Sequence, residues 1–457
     1  MLKGNTGKLI SSLLTLASIL TALPLVGVGA SAQVSADSLW EYTVLDDSTA
    51  MLGDDTNENS AYLGNSATPV IPAVIDGYTI VRISSMAFYG NTAISEVTIP
   101  DTVESIGYAA FYGCTSLESV VVPDSVQMLE GEVFYGCTSL ESVTLPDNGL
   151  LFDADSFSET AAFADTDNWT GGGFYIGDYL ICISPEVTDF TVKNGTKYVS
   201  ANAFLGNGTI ETVTMPNSVT SIWYGFSECS SLRSVVLSDS ITSLEEMSFY
   251  HCESLESVTL PSSLESIGQC AFEGCSLLDN VVLPDGLTEI GSYAFYHCTS
   301  LSHIEIPNGV TEIKESTFYR CEGLRSIVIP ESVTSIGADA FSSCRYLDEV
   351  TFLNADTEID STAFDVTKTV ISTVYGYVGS TAQSFAEENG ITFIPLGLVF
   401  GDLDSDGDVT IADYAVIKLY LEGNTELDSL GFVTADVNHD NAVDAFDLFE
   451  VNKIIYC

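Results

Sequence analysis

Leu255–Cys275 reads LESVTLPSSLESIGQCAFEGC, one copy of a unit that recurs along most of the chain. Its marker is a phenylalanine. Phe88, Phe111, Phe134 and Phe157 are spaced by 23 residues, and so are Phe226, Phe249, Phe272, Phe295, Phe318, Phe341 and Phe364; Phe204 precedes Phe226 by 22. A fixed period in this range predicts a solenoid, because no single unit can bury its own apolar face and neighbours must do it jointly.

Each residue of the unit has a physical role. Leu255, Val258 and Leu260 fit a short strand, with Val258 and Leu260 alternating toward one side. Pro261 removes a backbone donor and stops that strand. Ser262 and Ser263 supply turn chemistry, Leu264 and Ile267 open a return leg toward the same interior, and Gly268 is expected to allow a sharp bend. Ala271, Phe272 and Cys275 fill the core and close the rung. Rungs stacked at about 4.8 Å place like residues in ladders. Burying one Phe contributes roughly 1.5–3 kcal/mol, so the ring ladder dominates stability.

The pattern L-x-x-V-x-L-P-x-x-L-x-x-I-G-x-x-A-F-x-x-C resembles the leucine-rich repeats of bacterial BspA-like surface antigens, over residues 81–372. The resemblance implies a β-rich leucine-rich-repeat solenoid of about 23-residue repeats, α/β horseshoe-like, used for binding at cell surfaces and not for catalysis.

The whole chain has 457 residues, with 64 acidic against 13 basic side chains and a net charge of −51. That charge repels phosphate backbones and anionic lipid, which excludes nucleic acid as a partner and points to calcium and basic surfaces, or to solubility alone. Residues 1–32 carry Lys3 and Lys8, an apolar run from Leu9 and the small-residue site Ala30-Ser31-Ala32, the pattern of a secretory signal peptide. An uncleaved anchor is the rival reading; Pro24 and the cleavage site argue against it, and no membrane insertion is expected after cleavage.

Eleven cysteines in a secreted chain suggest disulfides. Their phase suggests buried thiols: Cys114, Cys137, Cys229, Cys252, Cys275, Cys298, Cys321 and Cys344 share one rung position, where Asn91 and Asn207 stand in two other rungs. Cys182, Cys270 and Cys457 lie outside that ladder.

Residues 33–80 read as an N-terminal β cap that shields the first rung. Phase breaks between Phe157 and Phe204, and an insertion over about 158–190 contains FYIGDYLICI, a hairpin turning at Gly177-Asp178. It is either a binding loop on one face or a degenerate rung. Residues 373–397 read as a C-terminal cap: a strand within Val370–Val378, a helix over Ser380–Glu388 ended at Gly390, and an edge strand at Ile391–Ile394.

Residues 398–457 change character. DLDSDGDVTIAD (Asp402–Asp413) and DVNHDNAVDAFD (Asp436–Asp447) place oxygen ligands at loop positions 1, 3, 5, 7, 9 and 12 of an EF-hand-type calcium loop. These are Asp402, Asp404, Asp406, Asp408, Thr410 and Asp413, then Asp436, Asn438, Asp440, Ala442, Asp444 and Asp447, with Asp408 and Ala442 acting through their carbonyls. Two Ca2+ ions are expected. Position 12 is Asp and not Glu, and each loop has only an exiting helix, about Ile411–Leu421 and Ala445–Tyr456. Asn441 stands where the turn usually has Gly, and Asn tolerates the left-handed conformation. A module this small needs its metal to fold.

Duplicated loops of this kind resemble a type I dockerin, a small all-α calcium-binding module. The resemblance implies a cohesin partner on a scaffold protein. It assigns the contacts to Ile411, Ala412, Lys418 and Leu419 in the first half and to Ala445, Phe446, Asn452 and Lys453 in the second. Ile-Ala and Ala-Phe are more apolar than the usual Ser-Thr pair, which implies a different cohesin specificity.

No hydrolase constellation is present: neither G-x-S-x-G nor H-E-x-x-H nor a Gly-rich phosphate loop occurs, and only four histidines exist. No catalytic residue is assigned. His251 and His297 fill a repeat position that holds Gly elsewhere, His303 is expected on a strand, and His439 lies off the ligand positions of its loop. Tyr89, Tyr112, Tyr135, Tyr250, Tyr296 and Tyr319 each follow a rung Phe, so stacking would align them as a stripe for sugar or protein, or as a cover over the core edge. The leading expectation is a secreted, non-catalytic binding protein. Its dockerin would join a cellulosome-type scaffold, and its solenoid would recognise a polysaccharide, a cell surface or a protein. A polysaccharide-degrading enzyme and a structural spacer are the alternatives.

Overall fold

The computed structural model describes residues 32–55, 61–222, 224–365, 367, 369–396, 403, 409–425, 427, 435, 437 and 443–456. The expected signal peptide and most expected calcium ligands therefore lie outside the described residues. The chain forms two compact units, Met1–Cys229 and Ser230–Cys457.

The first unit opens with antiparallel strands Gln33–Val34, Glu41–Val44 and Thr49–Leu52. The last of these pairs in parallel with Tyr78–Ile83, which leads into a parallel ladder through Ser105–Ile106 and Met128–Leu129. A second parallel ladder joins Glu96–Val97, Ser119–Val121 and Ser142–Thr144, with Val120 beside Val97 and Val143. Each rung thus contributes a strand before its proline and a shorter strand on the return leg. Only short strands form because proline and turn residues interrupt each leg.

The hairpin is present: Gly173–Ile176 pairs with Tyr179–Ile183, with Ile176 opposite Tyr179. It does not protrude as a separate loop. Tyr179 and Leu180 pair in parallel with Tyr198 and Val199, which pair with Ser221 and Ile222. Phe174, Leu180 and Ile181 are completely buried, so the insertion acts as a rung.

The second unit repeats the same two legs. Ser326–Ile329, Glu349–Phe352, Thr373–Gly376 and Thr392–Pro395 form one parallel sheet. Ser243–Leu244, Ser266–Ile267 and Glu289–Ile290 form a return-leg ladder, as do Glu312–Ile313, Ser335–Ile336 and Glu358–Ile359. At the end, helix Thr381–Asn389 is capped by Ser380, whose side chain accepts from Gln383 N–H, and stops at left-handed Gly390 (φ 67°).

The phenylalanines stack as the period requires. Ring centroids are 4.8, 5.4 and 5.6 Å apart from Phe88 to Phe157, and 5.1, 5.3, 5.5, 5.2 and 4.9 Å apart from Phe249 to Phe364. Every described cysteine is a free thiol. Ladder thiols donate to the carbonyl of the preceding rung's Phe, as Cys114 Sγ does to Phe88 O, Cys137 to Phe111 O and Cys298 to Phe272 O, each at 3.1 Å. Burial pushes the thiol pKa values of Cys275, Cys298, Cys321 and Cys344 up, that of Cys344 to about 12, so these thiols remain protonated and unreactive.

One expected role is corrected. Gly268 has no left-handed backbone. A Cβ there would lie 2.7 Å from the backbone of Glu245 and Glu246, so glycine is required for close approach of adjacent rungs. The left-handed bend falls two residues later, on Cys270 (φ 55°), as it does on Met247 and Tyr293.

Candidate calcium module and solenoid surface

Two helices, Ile411–Leu421 and Ala445–Tyr456, exit the two acidic loops. Thr410 caps the first: its hydroxyl accepts from Ala412 N–H at 3.1 Å, while Thr410 N–H donates to Asp413 Oδ2 at 2.8 Å. Asp413 Oδ1 also accepts from Leu403 N–H at 2.6 Å. In the second half, Asp444 N–H donates to Asp447 Oδ2 at 2.8 Å and Asp444 Oδ1 accepts from Phe446 N–H at 2.7 Å. The two position-12 carboxylates therefore occupy equivalent places at helix N-termini, where the backbone dipole favours negative charge.

Asp413 and Asp447 are both fully buried. Among the described residues, Ile417, Ala435, Val443 and Val451 are buried beside them in the module's apolar centre. Two buried carboxylates, each held by backbone N–H donors where an acidic loop meets its helix, fit a site built for a hard cation. The other ligand positions lie outside the described residues, apart from Thr410 and Asp444, which are half-buried.

All eight residues expected to contact a partner are exposed: Ile411, Ala412, Lys418, Leu419, Ala445, Phe446, Asn452 and Lys453. Phe449 and Ile454, outside the expected contact set, are also exposed, at 57% and 48%. Lys453 Nζ lies 5.0 Å from the Phe449 ring centroid and bonds Glu450 at 2.7 Å. A helical wheel would have revealed Phe449, three residues after Phe446.

The tyrosine stripe exists in two pieces. Tyr89, Tyr112 and Tyr135 stack at 5.0 and 5.1 Å with interplanar angles of 13° and 12°. Tyr296 and Tyr319 stack at 4.9 Å. Tyr250 is separated from Tyr296 by a rung that carries Glu273 at this position, and packs edge-on against His251. Parallel stacking consumes ring faces, so these rows present edges and hydroxyl groups outward.

His251, His297 and Arg320 occupy left-handed positions (φ 54°, 61° and 59°), where the first unit has Gly90, Gly113 and Gly136. Arg320 Nη1 is 3.4 Å from His297 Nε2. Burial and that guanidinium lower the His297 pKa, which favours the neutral ring. His303 forms only an isolated bridge, with Asn280, and not a strand. Two polar networks had no sequence signal: Arg82 bonds Glu130 at 2.9 Å and approaches Asp55 at 3.3 Å, and Asn202 donates to Asp153 at 3.2 Å.

Comparison with known families gives two matches. The family described as BspA type Leucine rich repeat region matches as 6 copies over residues 73–167, 174–277 and 242–371, and Dockerin type I domain matches residues 400–456. The chain is similar to the crystal structure of a leucine-rich repeat protein from Bacteroides ovatus, at 23% identity over 82% of this chain and 100% of that one, with a TM-score of 0.34. It is similar to the pneumococcal vaccine antigen PcpA at 16% identity over 81% and 99%, with a TM-score of 0.39. It is also similar to a leucine-rich repeat protein from Eubacterium ventriosum at 18% identity over 68% and 95%, with a TM-score of 0.38. No curated protein matches it.

Proposed function

We propose that this chain, which belongs to the BspA-type leucine-rich repeat family and carries a type I dockerin at residues 400–456, works outside the cell as a non-catalytic, calcium-dependent adaptor. Its dockerin docks on a cohesin of a cellulosome-type scaffold, and its solenoid contacts a polysaccharide, a cell surface or another protein. The matched families comprise a repeat region and a cohesin-binding module, which supports a binding role. Among the described residues no helix is long and apolar enough to cross a membrane.

The observation that carries the reading is the paired loop-and-helix architecture with its buried position-12 carboxylates. Asp402, Asp404, Asp406 and Asp436, Asn438, Asp440 would complete two oxygen cages with Thr410, Asp413, Asp444 and Asp447. Bound calcium neutralises the carboxylates and ties each loop to its helix. The protein's own residues then do the recognition: Ile411, Leu419 and Phe446 offer exposed apolar anchors, and Lys418 and Lys453 offer the cationic rim.

The test is capture of the full chain by a panel of immobilised cohesins with calcium and with EDTA. Capture by at least one cohesin with calcium and none after chelation is expected. Failure to bind any, or binding indifferent to EDTA, overturns the adaptor reading.

A further inference from the structure

The first unit carries a strip that differs from the rest of this acidic surface. Three successive rungs read YGNT, YGCT and YGCT, at Tyr89–Thr92, Tyr112–Thr115 and Tyr135–Thr138, with no charged residue among them. Gly90, Gly113 and Gly136 are all left-handed, at φ 65°, 66° and 70°. A Cβ added at Gly90 would meet nothing within 4 Å, and at Gly113 or Gly136 it would meet only the neighbouring glycine's backbone, at 3.8 and 3.9 Å. The backbone here is therefore a bare floor. Before each glycine comes a stacked tyrosine, with Tyr89 49% exposed. Two residues after each glycine comes an exposed threonine, Thr92, Thr115 or Thr138. Two carboxylates border the strip: Glu132 accepts from Tyr108 Oη at 2.9 Å, and Glu159, at the left-handed position of the following rung, bonds the Tyr135 hydroxyl.

We propose that this tyrosine–glycine–threonine shelf binds a neutral, extended polysaccharide laid along the stacking direction, about one sugar per rung. This rests on the reading that the solenoid contacts a ligand, and it selects the polysaccharide class. Tyrosine and threonine hydroxyl groups recur at the rung spacing, 5.0 and 5.1 Å between tyrosines. An extended β-linked hexose chain advances by nearly that distance per residue, so each sugar meets the same donors and acceptors. An uncharged strip on a chain of net charge −51 matches a neutral polymer, since an anionic one would be repelled by the surrounding field. Because the ring faces are covered by their neighbours, contact is through edges and hydroxyls. In the second unit the corresponding floor positions hold His251, Gly274, His297, Arg320 and Ser343, and the His251 ring lies over Gly274, so the shelf there is filled.

The experiment follows from that contrast. Gly113→His with Gly136→His fills the floor with a residue the same rung position already tolerates at φ 61° in His297. Full-chain protein would be run in affinity gels containing hydroxyethylcellulose or polygalacturonate, with melting curves alongside. Wild type is expected to be retarded by the neutral polymer. The double variant should lose about tenfold or more in affinity with unchanged melting, and Tyr296→Ser with Tyr319→Ser should bind as wild type does. If the histidine variant melts early, Tyr112→Phe with Tyr135→Phe removes two hydroxyls and keeps the stack, and the same loss is expected. Wild-type retardation that survives these changes overturns the shelf but leaves a ligand-binding solenoid. Retardation only by polygalacturonate overturns the neutral class. No retardation by either polymer overturns the proposal, while cohesin capture still reports on the adaptor reading.

Discussion

Phe272→Ala tests whether the stacked rings hold the solenoid together. Phe272 is completely buried, with Phe249 at 5.1 Å and 4° on one face and Phe295 at 5.3 Å and 8° on the other. Truncating a buried Phe costs about 3–5 kcal/mol, and a ring stacked on both faces belongs at the upper end of that range. Rungs interact with nearest neighbours, so the gap weakens two interfaces at once. With about 2–4 °C per kcal/mol for a block of this size, the melting temperature of the second unit should fall by roughly 8–15 °C. Phe272→Leu refills most of the volume and should cost less than about 1.5 kcal/mol. Differential scanning calorimetry on the full chain separates the cases. A fall below about 2 °C for Phe272→Ala, or equal losses for Ala and Leu, would refute the claim that the ring ladder is the main brace.

Chelation should unfold residues 400–456 and leave the solenoid intact, seen as protease trimming of the tail that calcium reverses. Asp447→Ala should do the same to the second half at calcium levels that saturate wild type. Asp153→Asn should stabilise the first unit at neutral pH. Burial pushes the Asp153 carboxyl up from its ordinary 3.8 to about 6, so the native state holds its proton more tightly than the unfolded chain. Stability therefore falls as pH rises from about 4 to 6, by at most about 3 kcal/mol, and the variant's melting curve should be flatter across that window. Iodoacetamide should leave the ladder thiols unlabelled in native protein and label them after unfolding; fast native labelling of Cys298 or Cys344 would contradict their burial.

The rungs were legible because every one repeats the same inward residues, so Phe272 and Cys275 could be placed by phase alone. Gly268 was legible as necessary but not for the right reason: its neighbour is Glu245, one rung away, and inter-rung contact leaves no local signature. The hairpin at Gly177-Asp178 could be read from its turn. Its parallel pairing with Tyr198–Val199 could not, because that partner is chosen by the ladder and not by the hairpin. The same limit hid Arg82 and Glu130, which meet across 48 residues. The expected calcium ligands are the opposite case, since one short loop would hold a whole ligand set and spacing alone suggests it; most of them lie outside the described residues.

The two halves of the chain thus divide structure and recognition differently. In the solenoid the interior columns are fixed by packing, and backbone conformation is fixed at the left-handed position after each surface tyrosine. What remains free is the side chain at that position: Gly at 90, 113 and 136, His at 251 and 297, Arg at 320. Changing it alters the surface without disturbing Phe or Cys beneath, so one scaffold can carry a bare shelf and an edge filled by His and Arg side chains. In the dockerin no such separation is possible. Asp413 and Asp447 cap helices and sit in the core; on the proposed reading they are also calcium ligands, so losing the metal should cost the fold and the partner at once. Ligand specificity in the solenoid should therefore drift freely by substitution, whereas scaffold attachment should respond to calcium as a switch.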